Sequence, residues 1–230
     1  MKISVCMATH NGAPYLKEQI DSILLQLKEN DELVISDDGS TDDTLEILQT
    51  YHHRIKILPP QKFDNPIKNF EYALDHCQGD LIFLADQDDI WYPEKMQAMT
   101  EALHDCELVV CDCRLVDQDL NVIAPSFFEM NRSGQGLINN FIKSSFVGCC
   151  MAFHRKVLLK AIPFPDQIFM HDQWIGLIAQ KYFKVTFIPQ ILVDHRRHSK
   201  NFSTTGSVSK NSLGKKLISR VKLAKMLLQR

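Results

Sequence analysis

The sequence predicts an α/β protein: a mostly parallel sheet flanked by helices, then a short linker and an amphipathic helical tail. Short apolar runs of strand length alternate with longer segments of helical period, the pattern of right-handed β–α–β crossovers. Three of the first four apolar runs stop at polar clusters, "THNG", "DDGSTDDT" and "DQDD". The 230 residues, 45% of them hydrophobic, suit one large domain with a short appendage.

The elements follow in order. "ISVCMA" (3–8) is a buried strand leaving into a turn, and Pro14 suits the first turn of a helix carrying Leu16, Ile20, Ile23, Leu24 and Leu27. "ELVIS" (32–36) is a second strand. A helix marked by Leu45, Ile47, Leu48 and Tyr51 leads to a third strand, "RIKIL" (54–58). Ile67, Phe70, Ala73, Leu74 and Cys77 mark another helix, closed near Gly79, before the strand "LIFLA" (81–85). A helix is expected near 93–105, a strand at 107–113, and a strand–turn–strand excursion over 114–125. Residues 126–145 read as irregular, "SFVGCCMAF" (145–153) as a strand, and 171–183 as a helix. The body is expected over 1–203, a linker over 204–212, and a basic amphipathic helix over 213–230. In that helix Leu213, Leu217, Val221, Ala224 and Leu228 share one face.

Charge is uneven. From Arg196 onward there are ten Lys/Arg and no Asp/Glu, against 16 basic and 28 acidic residues before it. The formal net charge of −2 gives no reason to expect a nucleic-acid partner. Seven cysteines without a Cys-x-x-Cys pair suggest buried, reduced thiols. No signal-peptide core and no membrane-length apolar run occurs, so a cytoplasmic protein is expected. Its basic tail would rest on the inner face of the membrane, or pack its apolar face on protein.

In such sheets ligands bind beyond the carboxyl ends of the strands, where the three polar clusters should converge. Asp86 and Asp88, two apart after a core strand, suit a hard divalent ion such as Mg²⁺ or Mn²⁺, or else merely cap the next helix. Asp37 and Asp38 end the second strand, where a carboxylate can accept from a base or a ribose hydroxyl. Asp172, at the start of a helix, is either a cap or a general base. "DHRRHSKN" is a basic turn or a diphosphate clamp, with His195 or His198 able to reach a metal.

Taken in order, ATHNG, ISDDGSTD, LADQDDIW, HDQW and DHRRHSKN resemble the family 2 glycosyltransferases of the GT-A fold, over about residues 1 to 203. The likeness is closest to bacterial members that build surface polysaccharides, including rhamnosyl- and glucosyltransferases. The resemblance implies a nucleotide-diphosphate sugar donor, contacted by Thr9, Asn11, Asp37, Asp38, Lys68, Asn69 and Asp86. It implies Mg²⁺ or Mn²⁺ on Asp86 and Asp88, and Asp172 as the base; His198 is taken as the further metal ligand that "DHRRHSKN" offers. Trp91 and His171 would lie toward a glycan or lipid-linked glycan acceptor. His195 stands where the family usually has Tyr. Two other readings compete. A sugar-phosphate nucleotidyltransferase would open with a glycine-rich basic loop, which "MATHNGAPYL" lacks, and a non-catalytic sugar-binding subunit would have no need of Asp86, Asp88 and Asp172 together.

Overall fold

The computed structural model describes residues 1–198, 201 and 213–230, the side chains of 213–217 excepted. The expected linker and the side chains of Leu213 and Leu217 therefore lie outside the described residues. The first seven elements arrive as the sequence predicts: β1 (Ile3–Thr9), α1 (Ala13–Leu24), β2 (Glu32–Asp37), α2 (Thr44–Thr50), β3 (Lys56–Ile57), α3 (Pro66–Asp75) and β4 (Leu81–Ala85). Strand β4 is wholly buried, as are Val5, Cys6 and Met7 of β1. Each large apolar side chain so enclosed contributes about 1.5–3 kcal/mol. Helix α3 starts where Asn65 accepts from the Ile67 and Lys68 amides and Pro66 fills the first helical position.

The second half is less regular: β5 (Ile90–Trp91), α4 (Lys95–Ala102), β6 (Leu108–Val116), β7 (Val122–Ala124), α5 (Phe127–Asn131), α6 (Leu137–Ile142), β8 (Met151–His154), α7 (Arg155–Ala161), α8 (His171–Tyr182), β9 (Val185–Arg196) and α9 (Leu213–Gln229). The strands form one sheet in the order β3-β2-β1-β4-β8-β6-β9-β5, with β7 paired to β6. Strands β3, β2, β1 and β4 are mutually parallel; β8 runs antiparallel between β4 and β6, and β9 returns parallel to β6.

Three expectations are corrected here. Only the last three residues of "SFVGCCMAF" are strand, within β8 (Met151–His154); Gly148–Cys150 is a 3-10 turn. A continuous buried run has no period, so burial alone left its conformation open. Residues 126–145 hold two short helices, the first capped by Ser126 Oγ accepting from the Glu129 amide at 3.0 Å. In α9 the side chains packed on the body are Leu223 and Leu227, while Val221 (62% exposed) and Leu228 (82%) of the expected apolar face point outward. Lys181 Nζ donates to the Leu227 carbonyl at 2.6 Å, and Arg230 guanidinium nitrogens donate to the carbonyls of Lys160 and Ile162.

Candidate active site

Parallel register brings the polar clusters together. Thr9 lies beside Asp37, and Met7 beside Ala85, so the chain turns out of β1, β2 and β4 at one edge. A cavity of about 380 Å³ opens there, walled by these turns, the start of α3, the Gly148 turn, the start of α8 and the end of β9.

The first two turns spend their polar groups largely on themselves. Asp37 accepts from Ser40 N (2.8 Å), Ser40 Oγ (2.6 Å) and Thr9 Oγ1 (2.8 Å), and does not line the cavity. Gly39, at φ +69°, provides the left-handed step this turn needs. Asn11 Oδ1 accepts from the Thr41 amide at 2.8 Å, tying the two turns together outside the cavity. Asp38 does line it. Its carboxylate accepts from the amides of Phe63, Asp64 (3.1 Å) and Asn65 (3.0 Å), and so folds the loop that forms one wall. Thr9 and Asn69 also face the cavity, with Asn69 Nδ2 donating to the Thr9 carbonyl at 3.1 Å and its buried Oδ1 left without a partner.

The third turn is different. Gln87 is locked to the first turn by paired bonds to His10 (2.9 and 3.0 Å), which aims Asp86 and Asp88 into the cavity. Burial, then the charges of Asp89 and Asp88, push the Asp86 carboxyl well up, opposed by His195. Asp88 Oδ2 accepts from His198 Nε2 at 2.8 Å and from Asn201 Nδ2 at 2.9 Å. His198 in turn stacks on Tyr15 with ring centroids 5.0 Å apart. Asp89 is fully buried. Pairing of Ile90 with Asp194 draws the end of β9 over it, so that Asp89 Oδ1 meets His195 Nδ1 (2.9 Å) and the Arg196 amide (3.0 Å). Burial would raise Asp89 and lower His195, but their mutual attraction outweighs it: Asp89 is held down and His195 held well up. The buried Arg196 guanidinium donates to the Asp88 carbonyl (3.0 Å), the Gln118 carbonyl (2.9 Å) and Glu18 (2.7 Å).

Asp172 is not a helix cap. Met170 occupies the cap position, and Asp172 sits one turn-residue into α8 with its carboxylate facing the cavity. It accepts from the Gly148 amide at 3.2 Å and the Gln173 amide at 2.5 Å. Both bonds favour the anion, yet enclosure by protein dominates and raises its pKa to about 6. Its side chain keeps an opening toward the cavity. His171, stacked on Phe70 at 3.9 Å, is buried with both ring nitrogens unpartnered; burial lowers its pKa to about 3, so the imidazole is neutral. A Cβ at Gly148 would stand 3.3 Å from His171 Nε2, which favours glycine beside the carboxylate.

Two residues singled out in the sequence lie elsewhere. Lys68 pairs with Glu71 (3.3 Å) and Asp166 (3.2 Å) and does not line the cavity. Trp91 is a core residue, 2% exposed, lying under the buried Lys95 ammonium at 3.6 Å. Conversely, sequence reasoning passed over Gly148 and Cys149, and read Arg196 and Asn201 only as part of "DHRRHSKN", with no individual role. The only signal was their place in motifs whose partners lie a hundred residues away, as with Asn201 and Asp88.

A divalent cation suits the acid turn, where the Asp86 carboxyl is held up by burial and then by the charges of Asp89 and Asp88 that a cation would relieve; Asp88 pairs with His198, whereas the ligand atom of Asp86 groups with Asp89, Cys149 and His195.

Comparison with known proteins agrees with this geometry. Residues 4–161 match the family described as Glycosyl transferase family 2. Over 183 residues the chain is 24% identical to the UDP-Glc:alpha-D-GlcNAc-diphosphoundecaprenol beta-1,3-glucosyltransferase WfgD of Escherichia coli, covering 76% of this chain and 69% of that one. The S. aureus TarS 1-349 complex with UDP-GlcNAc superposes with a TM-score of 0.74 at 19% identity, covering 99% of this chain and 66% of that one. The mannosyltransferase PcManGT of Pyrobaculum calidifontis, in complex with GDP-Man and Mn²⁺, superposes at 0.67 and 19% identity, covering 87% and 58%. These structural likenesses establish the GT-A fold. The chain spans about a third to a half of the length of several curated relatives it matches.

Proposed function

Because this chain belongs to glycosyl transferase family 2, we propose that it transfers a sugar, with inversion, from a nucleotide-diphosphate sugar to a hydroxyl of a glycan or lipid-linked glycan during surface-polysaccharide synthesis. One observation carries the reading: the acid turn after β4 and the carboxylate of Asp172, its pKa raised to about 6, face the same cavity. The acceptor oxygen attacks the anomeric carbon as the bond to the diphosphate oxygen breaks, and Asp172 takes the hydroxyl proton. A carboxylate of pKa about 6 is ionised at neutral pH and basic enough to be an efficient proton acceptor.

Asp86, Asp88 and His198 would hold Mg²⁺ or Mn²⁺. Such an ion, when bound, offsets the charge that collects on the departing nucleoside diphosphate. Thr9, Asp38 and Asn69 would meet the nucleotide along the wall that Asp38 organises. His171, neutral and rigidly stacked, would shape the approach of the acceptor to Asp172. Asn11, Asp37 and Arg196 support the site by fixing its turns.

The boundaries of the catalytic unit, 1–203, and of the tail, 213–230, belong to the same proposal. Among the described residues no helix is long and apolar enough to cross a membrane. With Leu223 and Leu227 packed inward, Ile218, Val221 and Leu228 form an outward stripe beside Lys222 and Lys225. That stripe would rest on an anionic bilayer, near a lipid-linked acceptor on the cytoplasmic side. Co-sedimentation with anionic against neutral vesicles tests it: binding to neither removes the membrane contact, and equal binding to both removes the part assigned to Lys222 and Lys225.

For the activity, a thermal-shift and hydrolysis panel of UDP-, dTDP- and GDP-sugars with Mn²⁺ is the direct test. One donor class is expected to stabilise the fold by about 2.7 kcal/mol at a hundredfold excess over its Kd, and to be slowly hydrolysed. No stabilisation and no hydrolysis with any donor would overturn the reading.

A further inference from the structure

Behind the donor site lies a second set of ligand atoms that shares Asp86 with it but otherwise consists of residues the proposed chemistry does not use. Asp86, Asp89, Cys149 and His195 each place one ligand atom such that all four lie within 4.8 Å of one another. Cys149 Sγ is 3.6 Å from His195 Nδ1, which is 2.9 Å from Asp89 Oδ1. Asp89, Cys149 and His195 are buried, at 0%, 0% and 3% exposure. Two polar atoms of the cluster, Asp89 Oδ2 and His195 Nε2, are enclosed and have no hydrogen-bond partner. A purely structural network, fully enclosed, is expected to satisfy such atoms.

We propose that Asp86, Asp89, Cys149 and His195 form a binding site for a thiophilic divalent cation of the Zn²⁺ class, separate from the Asp88–His198 edge. The donor chemistry points there. A thiolate, an imidazole and two carboxylates make a mixed four-ligand set suited to tetrahedral Zn²⁺, whereas Mg²⁺ and Mn²⁺ favour oxygen shells. The cavity supplies the entry path, since Asp86, His195 and Gly148, the neighbour of Cys149, all line it. On binding, the Cys149 thiol proton and the proton held between His195 Nδ1 and Asp89 pass to solvent, and the freed sulfur and imidazole nitrogen bond the ion. The ion also takes Asp86 away from the donor site, so Zn²⁺ inhibits transfer; that consequence rests on the glycosyltransferase reading, while the binding itself does not.

The test uses the full chain stripped of metal and titrated with Co²⁺, whose tetrahedral thiolate complexes show a sulfur-to-metal charge-transfer band and intense visible bands. One equivalent with both features is expected, displaced by one equivalent of Zn²⁺. Cys149→Ser should abolish the charge-transfer band, whereas Cys150→Ser and Asp88→Asn should keep it. Absence of the band in the wild type, or its survival in a folded Cys149→Ser, overturns the site. Should Cys149→Ser fail to fold, zinc-edge X-ray absorption of the wild type decides. One sulfur at about 2.3 Å with nitrogen and oxygen near 2.0–2.1 Å is expected, and an all-oxygen shell refutes the proposal. None of these readouts needs a sugar donor, so a negative donor panel leaves the cobalt result standing.

Discussion

Strands β2 and β4 lie either side of β1, and each runs into aspartates at the sheet edge where the cavity opens, yet the two turns use them in opposite ways. At the end of β2 every carboxylate oxygen of Asp37 and Asp38 accepts from amides or hydroxyls close by. Their charge is absorbed by dipoles, and the product is a shaped wall. At the end of β4, Asp86 faces Asp88, Asp89 and Asp172, and burial compounds the repulsion. Asp89 is neutralised by His195, and Asp88 accepts from His198 and Asn201, all from the far end of the chain. Hydrogen-bonded carboxylates stabilise a fold; crowded ones stabilise a cation. The same residue type therefore serves architecture at one strand end and chemistry at the other.

The largest expected effect breaks the β4 side. Asp86→Ala and Asp88→Ala should each lower metal-dependent transfer by about three orders of magnitude, with the fold intact, since each removes charge aimed at the diphosphate. Steady-state kinetics across a Mn²⁺ titration measures this; full activity of both variants in EDTA would erase the contrast.

Asp172→Asn should cost about 10²–10⁴-fold in turnover while donor affinity stays within a few-fold. The pH dependence has a definite sign. Because the folded pKa, about 6, exceeds the ordinary carboxylate value of 3.8, the wild type binds more protons folded than unfolded between those two values. Its stability thus falls, relative to Asp172→Asn, as pH rises from about 4 to 6. The variant should equal the wild type below pH 4 and exceed it above pH 6. Over the same range kcat/KM of the wild type should climb with an apparent pKa near 6. Paired melting curves and a pH–rate profile check both limbs.

On the β2 side the effect should be on stability. Asp37→Ala strands the Ser40 amide and the Thr9 hydroxyl and should cost about 1–3 kcal/mol, with kcat per folded molecule changed little. Chemical denaturation alongside kinetics separates these. Unchanged stability with lost donor binding would instead make Asp37 a nucleotide ligand and remove the contrast.

The smallest effect is expected at Lys68. Its ion pairs with Glu71 and Asp166 are solvent-exposed, so Lys68→Met should shift stability by less than about 1 kcal/mol and leave the donor KM unaltered. A large rise in KM would bring Lys68 back into the donor site.

The sequence by itself determined the alternating half of the fold and the edge where the site forms. Leu81–Ala85 running into three acids and Pro14 opening a helix are local statements, encoded in neighbours a few residues apart. The acids after β4 and the carboxylate of Asp172 were legible for the same reason: a charge ending an apolar run needs a cause. What each acid does was decided only in three dimensions. Asp38 became a wall-builder because the 63–65 loop brings its amides there, and Asp37 turned inward because Thr9 lies beside it in register. Asp172 gained its raised pKa from burial, which outweighs the anion-favouring amide bond from the Gly148 turn. The His195–Asp89 pair exists because β5 and β9 meet across about a hundred residues of chain. Local conformation follows from short-range sterics and periodicity, whereas desolvation and charge pairing depend on which distant surfaces close over a group, and those only the packed structure sets.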